Sequence, residues 1–494
     1  MTATANAASS GLDLTPPAVL RRAVTVLESA LELVRKYDVP GPRYTSYPTA
    51  PHFSADCDRQ SLLAEIAEDN KDVSLPLSLY VHIPFCESLC WYCGCNTVIT
   101  GKKGQEKNGE KNATKQGIAH DYVTLLIQEL EQTAKLLNRA RLVTQLHFGG
   151  GTPTFLPPEE IDRLAETLKA LFTFAPDAEI SVEIDPRRLT LEQVLAFRRL
   201  GCNRASLGVQ DTDLAVQKAI HRLQPLSLTA QAVTWLRQAG YQSVAIDLIY
   251  GLPLQTVESF SRTTREVLAL APDRFAVFSY AHVPWLKPAQ KVFDLQKQLP
   301  SASEKLSMLV AAARILTEAG YAQIGMDHFA RPSDELAQAH AAGTLHRNFQ
   351  GYTTRAGASL YGFGMTSISQ TGASFRQNEK ELDAWSAKVR AGELPIERGL
   401  VITAEDQRRR TLVMDVMCKR RLSYADLSAR TGVEVTQAYA AEFASLGDLE
   451  KDGLLVRDAE GLTITALGEL FRRIIAMRFD AYLSSGPRNF SRAV

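Results

Sequence analysis

The sequence has no surplus of either charge: 55 Lys and Arg balance 55 Asp and Glu. A protein that grips nucleic acid electrostatically carries a basic excess, so that class is disfavoured at once, and no nucleic-acid partner is expected. No apolar run approaches the ~18–20 residues of a membrane span, and none is expected. Met1–Gly11 lacks both a basic n-region and an apolar h-region, so no secretory signal is read and a cytoplasmic location is expected. Cysteine is scarce outside one short stretch. Cys57, Cys202 and Cys418 are scattered and read as buried or bystander thiols, whereas Cys86, Cys90, Cys93 and Cys95 fall within ten residues. Disorder is excluded as well, because 45% apolar against 22% charged residues supplies a full core.

A chain of 494 residues is long enough for roughly three domains. Residues 1–14 read as a disordered tail. A helix is expected from about Thr15, where Pro16 and Pro17 suit a first turn and Leu20, Val24, Leu27, Leu31 and Val34 form a stripe. That helix opens an N-terminal extension over 15–74. From 75 to 310, strand candidates at Leu77–His82, Gln145–Phe148, Ile180–Ile184, Ala205–Val209, Val244–Ile249 and Phe275–Tyr280 alternate with amphipathic helices, such as the one aligning Ile161, Leu164, Leu168 and Leu171. Strands buried on both faces and separated by helices mean parallel βαβ units. The expected fold is therefore α/β, a partial (β/α)6 barrel. Gly101–Gly117, with five lysines, reads as a solvated insertion. A substrate-site segment is expected over 311–370, followed by a mainly helical C-terminal domain over 371–494. There, helices at Leu412–Met417, Tyr424–Ser428 and Thr436–Leu446 precede a hairpin, Leu454–Arg457 to Leu462–Thr465, in a winged-helix outline. Only Lys419, Arg420 and Arg421 cluster there, too few for a phosphate-binding stripe, so a structural or substrate-covering role is expected.

Chemistry gathers where the strands end. His82, Gly149–Thr152, Glu183, Gln210, Asp247 and Tyr280 all sit at predicted strand C-termini, the active-site face of a (β/α) barrel. Cys86, Cys90 and Cys93 form a C-x3-C-x2-C loop after the first strand. Three thiolates fall one short of a closed zinc site or of capping every iron of a [4Fe–4S] cube. Zinc with Cys95 as fourth ligand is the alternative. Gly149–Gly151 let backbone N–H groups approach a carboxylate or amino-acid moiety, and without a Walker lysine a triphosphate is not expected.

The C-x3-C-x2-C loop at the mouth of a partial barrel resembles the radical S-adenosylmethionine superfamily. More specifically, GPRYTSYP at 41–48, the Gly94-Cys95-Asn96 ending, GGGTPT at 149–154, Glu183-Ile-Asp-Pro186, Gly208-Val-Gln-Asp211, IDLIYGLP at 246–253, GMDHFARP at 325–332 and HRNFQGYT at 346–353 resemble oxygen-independent coproporphyrinogen III oxidases. A haem chaperone of the same superfamily would share the cysteine loop but lack the Gly-Cys-Asn ending and the 346–353 motif.

The resemblance implies a [4Fe–4S] cluster on Cys86, Cys90 and Cys93, and two S-adenosylmethionine molecules that yield 5′-deoxyadenosyl radicals. Tyr80, Gly150, Glu183 and Ile368 would contact the first molecule; Tyr92, Gly151, Thr152, Gln210, Arg222, Asp247 and Ala281 would contact the second. His82 and Cys95 are further catalytic candidates. The substrate would be coproporphyrinogen III, two of whose propionates become vinyl groups, with an unidentified electron donor and acceptor. Its carboxylates need guanidinium groups in an aromatic setting, for which Arg43, Arg331 and Arg347 are the candidates. A monomer is expected.

Overall fold

The computed structural model describes residues 32–101, 114–296, 298–483 and 490–492. The expected tail, most of the helix from Thr15 and most of the Lys-rich insertion lie outside these residues; 32–37 are helical.

The centre is one curved sheet of twelve strands. In chain order they are β1 (Leu77–Ile83), β2 (Leu142–Gly150), β3 (Thr173–Ile184), β4 (Arg204–Gln210), β5 (Ser243–Tyr250), β6 (Arg274–Ser279), β7 (Ala322–Ile324), β8 (His328–Ala330), β9 (Ser359–Phe363), β10 (Ile368–Gln370), β11 (Ser374–Asn378) and β12 (Ile396–Val401). Across the sheet the order is β12-β11-β10-β9-β1-β2-β3-β4-β5-β6-β8-β7. The stretch from β9 to β6 is parallel, and both flanks are antiparallel. The two edges do not pair, so the barrel is partial, as expected. The six strands read from sequence are β1–β6. Helices α1 (Lys115–Ala134), α2 (Pro158–Leu171), α3 (Leu191–Leu200), α4 (Leu226–Gln238), α5 (Val257–Leu268) and α6 (Ala302–Glu318) punctuate them. Capping boxes at Thr190/Gln193, Thr256/Ser259 and Ser301/Glu304 start α3, α5 and α6 by satisfying orphan N–H groups.

Three expectations change. First, the strands are not apolar on both faces. Leu79, Val81, Leu146, Phe148, Val182, Leu207, Ile246 and Val277 are fully buried, whereas Tyr80, His147, Ser181, Glu183, Ser206 and Asp247, at the alternating positions, are only partly so. A period of two sends the first set to the helices and the second into the barrel, whose interior is polar. Second, a seventh parallel strand, β9, lies against β1. It is five residues long and contains a glycine, too weak a pattern to read. Third, the sheet continues through β11 and β12, so the helical part begins at α7 (Ala404–Cys418) and not at residue 371.

Beyond α7, a helix at Tyr424–Thr431, short helices to Lys451 and the strands Arg421–Ser423, Leu455–Arg457 and Gly461–Ile464 complete the winged-helix outline. The expected third helix is broken at Tyr439. Lys419 pairs with Asp415 (3.0 Å) and Arg421 with Asp458 (3.0 Å), so these two cations are engaged within the chain. A single apolar core runs from the barrel strands into this part, from Leu79 and Phe148 to Leu427, Leu462 and Phe479.

Candidate active site

The cysteine loop leaves β1 and crosses the strand C-termini. Pro84 O accepts from Val98 N–H (2.8 Å) and Cys86 O from Thr100 N–H (3.0 Å), so the loop closes as a tight Ω-like excursion. His82 anchors it. Its Nε2 donates to Asn96 O (3.3 Å), which leaves Nδ1 to accept from the Tyr80 hydroxyl (3.0 Å). Burial lowers the His82 pKa to about 4, so the ring is neutral. With both nitrogens engaged, His82 ties the strand to the loop; it is not free to act as a base.

The β2 end forms the second wall. Gly150 takes φ +114°, and a Cβ there would lie 2.7 Å from the His82 ring. Gly151 N–H donates to Ile83 O (2.8 Å), and a Cβ would meet Pro84 O at 2.4 Å. Only glycine lets this turn press against the loop.

Two adjoining cavities open here. One, of about 450 Å³, is lined by Tyr80, His82, Gly150, Glu183 and Ile368, together with Cys95, His147, Phe349 and Gln350. The other, of about 380 Å³, is lined by Cys86, Cys90, Cys93, Tyr92, Gly151, Thr152, Gln210, Arg222, Asp247 and Ala281, with Arg43 and Phe278. Gly94, Cys95, Gly150 and Glu183 face both and form the partition. Both volumes lie within the range of small-molecule sites. Of the residues expected around the first molecule, Tyr80 and Ile368 line only the first cavity while Gly150 and Glu183 face both; those expected around the second line only the second.

Asp247 sits inside β5 and accepts from the Ser206 hydroxyl (2.8 Å). Burial pushes its carboxyl up to about 6 against that hydrogen bond. Gln210 adopts φ +70°, a strained value for a side-chain-bearing residue, and its buried Oε1 has no partner among the described residues. Arg222 donates to Gly208 O (2.6 Å) and pairs with Asp185 (3.2 Å), while its buried Nε is unpartnered. Asp185, missed in the sequence, also holds Arg187 (2.6 Å). Both guanidiniums reach the Cys90 sulfur, at 3.5 and 3.6 Å.

The donor set discriminates between the two metal readings. Among the described residues no three His, Cys, Asp or Glu side chains converge on one point, as a single zinc ion requires. Cys86, Cys90 and Cys93 instead line one cavity as separate thiols, suited to a cluster whose irons take one thiolate each. The Cys95 N–H donates to Cys93 Sγ (3.4 Å). Two guanidiniums against Cys90 and an amide against Cys93 give the sulfurs the hydrogen-bonded surroundings of an iron–sulfur site.

The radical SAM superfamily model matches residues 80–267 and the HemN C-terminal domain model matches residues 402–471. The oxygen-independent coproporphyrinogen III oxidase of Synechocystis sp. is 42% identical over 474 residues, 95% of this chain and 98% of the relative. That of Escherichia coli K12 is 43% identical over 466 residues, 94% and 98% of the two chains. The chain belongs to the oxygen-independent coproporphyrinogen III oxidase family. The solved E. coli coproporphyrinogen III oxidase (HemN), a radical SAM enzyme, superposes with a TM-score of 0.83 at 42% identity, covering 89% of this chain and 98% of that one. This enzyme is accordingly a radical SAM oxidoreductase that uses a [4Fe–4S] cluster and S-adenosylmethionine. Among the described residues no helix is long and apolar enough to cross a membrane.

The three arginines expected around the enzyme's substrate separate. Arg43 lines the second cavity and donates to Ser279 O (2.9 Å). Its segment is held by the C-terminal part: Arg473 donates to Pro42 O (2.9 Å) and Gly41 O, Tyr44 hydroxyl to Asp480 (2.8 Å), and Gly41 N–H to Ser491 O (3.1 Å). Arg347 lies over the Tyr352 ring at 4.6 Å, with Nε and Nη1 buried and unpartnered among the described residues. Tyr352 packs edge-on against His328, and His328 against Phe278 of the cavity wall. Arg331 is a correction. Ala330 pairs with Arg274 at the start of β6, so Arg331 sits at the opposite end of the barrel. There it donates to Pro272 O (3.1 Å) and Ala271 O (3.0 Å), a structural clamp.

Proposed function

We propose that the chain converts coproporphyrinogen III to protoporphyrinogen IX without oxygen, using two S-adenosylmethionine molecules held in the two adjoining cavities. Each reacting propionate loses one hydrogen atom from its β-carbon, then carbon dioxide; a vinyl group remains and one electron leaves to an acceptor supplied from outside. The observation that carries this reading is the partition. One cavity holds Tyr80 and Ile368, the other Gln210, Arg222 and Asp247, and Gly150, Glu183 and Cys95 stand between them.

With a cluster on Cys86, Cys90 and Cys93 and S-adenosylmethionine bound, the cofactors supply hydrogen-atom abstraction from an unactivated carbon. The chain's own residues place and enclose the reactants. Tyr80 and Ile368 offer apolar faces and Glu183 a carboxylate to the first molecule. In the second cavity Asp247 accepts from ribose hydroxyls, Gln210 presents its free Oε1, and Arg222 directs its unpartnered Nε toward a carboxylate. Arg43 and Arg347 offer guanidiniums to the propionates, with Phe278, Phe349 and Tyr352 around the macrocycle. Seven free thiols suit a reducing compartment such as the cytoplasm, and an electron donor reaches the cluster from solution.

Anaerobic assay of the reconstituted protein with coproporphyrinogen III, S-adenosylmethionine and a chemical reductant tests the proposal. Protoporphyrin should appear after oxidation, with two S-adenosylmethionine molecules consumed per product. A full cluster with S-adenosylmethionine cleavage but no protoporphyrin would overturn the substrate assignment.

A further inference from the structure

His147 is absent from the residues that the sequence motifs single out, yet it lies at the back of the first cavity. Strand register places it there. Tyr80 of β1 is opposite His147 of β2, and His147 is opposite Ser181 of β3, so the three form one row across the barrel interior. The Tyr80 and His147 rings stack, 5.9 Å apart and 16° from parallel. His147 Nδ1 lies 2.6 Å from the Ser181 hydroxyl, and Nε2 lies 3.2 Å from Glu183 Oε1.

The directions of these bonds follow from the donor inventory. An ionised carboxylate only accepts, so Nε2 carries the hydrogen and donates to Glu183, while Nδ1 and the Ser181 hydroxyl share the second hydrogen bond. Glu183 Oε2 meanwhile accepts from Gly150 N–H (3.2 Å). Gly149 completes the cradle, because a Cβ there would lie 3.1 Å from the Glu183 carboxylate. Each carboxylate oxygen is thus pinned by one donor from the protein, while 47% of the side chain stays open to the cavity. Burial alone would raise the Glu183 pKa. The His147 and Gly150 hydrogen bonds outweigh it, and the carboxyl stays below its ordinary range.

We propose that His147, oriented by Ser181, is the positioning residue that aims Glu183 at the S-adenosylmethionine bound in the first cavity. This rests on the reading that Glu183 contacts that molecule. Without the Nε2 donor the carboxylate would keep one fixed oxygen and rotate about it, losing the orientation that a charge-assisted contact demands.

The test measures S-adenosylmethionine binding to the anaerobically reconstituted protein by calorimetry, with iron content and melting temperature in parallel. His147→Leu keeps the bulk and loses the donor; affinity at one of the two sites should fall about tenfold. His147→Gln reaches the Nε2 position with an amide N–H and should stay within threefold of the parent, whereas His147→Asn reaches only the Nδ1 position and should behave like His147→Leu. Equal affinities for the Gln and Asn variants would overturn the proposal, even if His147→Leu failed to fold. Glu183→Ala separates the two levels. If Glu183→Ala weakens binding and His147→Leu does not, the positioning role falls alone; if Glu183→Ala binds like the parent, the underlying assignment of Glu183 falls.

Discussion

Replacing Asp247 by Asn sets stability against function. The carboxyl is raised from its ordinary 3.8 to about 6 by burial, a little over two tenfold steps. At about 1.4 kcal/mol per step, the ionised group costs the folded state up to about 3 kcal/mol at neutral pH. The sign follows from the protonation states. A carboxyl whose folded value is raised opposes folding only where it is ionised in the unfolded chain, so the penalty starts near pH 3.8 and is complete above about 6. Asn keeps an acceptor for Ser206 and carries no charge. For a chain of this length an unfolding entropy of roughly 1 kcal/mol/K converts 3 kcal/mol into a rise in melting temperature of about 3 °C at pH 7.5. The gain should shrink to about 1 kcal/mol at pH 4.5 as the parent's carboxyl takes up its proton. The same substitution should weaken ribose binding in the second cavity, because an amide presents one acceptor in place of a charged pair. Slow S-adenosylmethionine cleavage should survive while protoporphyrin formation fails. The scan is run on the anaerobic protein without S-adenosylmethionine. A variant that melts lower than the parent at pH 7.5, or whose gain does not change with pH, would refute the assignment of a buried, destabilising charge.

Two further expectations concern the cluster and the substrate. Cys86→Ser, Cys90→Ser and Cys93→Ser should each lose the roughly four irons and the absorption near 400 nm of a [4Fe–4S] centre, whereas Cys95→Ser should retain most of the iron; iron lost only in the last would reverse the ligand assignment. Arg43→Leu and Arg347→Leu should each weaken coproporphyrinogen III binding by about 1.5–3 kcal/mol with iron content spared, as for a charged hydrogen bond, while Arg331→Leu should leave binding unchanged; titration of substrate onto the reconstituted variants checks all three.

Most of the parallel sheet was legible in the sequence because strands such as LSLYVHI and SVAIDLIY state their alternation openly, and capped helices separate them. The antiparallel flanks were not. β7, β8 and β10 have three residues each, too few for a period to show, and exist because neighbouring strands offer them a ladder. The cysteine loop and the glycine turn were readable because their chemistry is local in sequence. Arg331 misled because a shared motif shows that a residue is retained in a pattern, not which end of the barrel it occupies. His147 was hidden by the opposite fault. Within QLHFGGG it passes for one more strand residue, and only the register with Tyr80 and Ser181 gives it a role.

The clasp on the Gly41–Pro48 segment bears on how the enzyme is made. Arg473 grips a carbonyl 431 positions earlier in the chain, and Arg43, beside that carbonyl, forms part of the chamber wall. At a ribosomal pace of 5–20 residues per second, the segment waits roughly 20 to 90 seconds for its clasp to be synthesised. β1–β6 and the four thiols of the loop, all between residues 77 and 279, are synthesised within that interval and before the clasp. The chamber wall that Arg43 supplies is therefore fixed in place only when nearly the whole chain has been made.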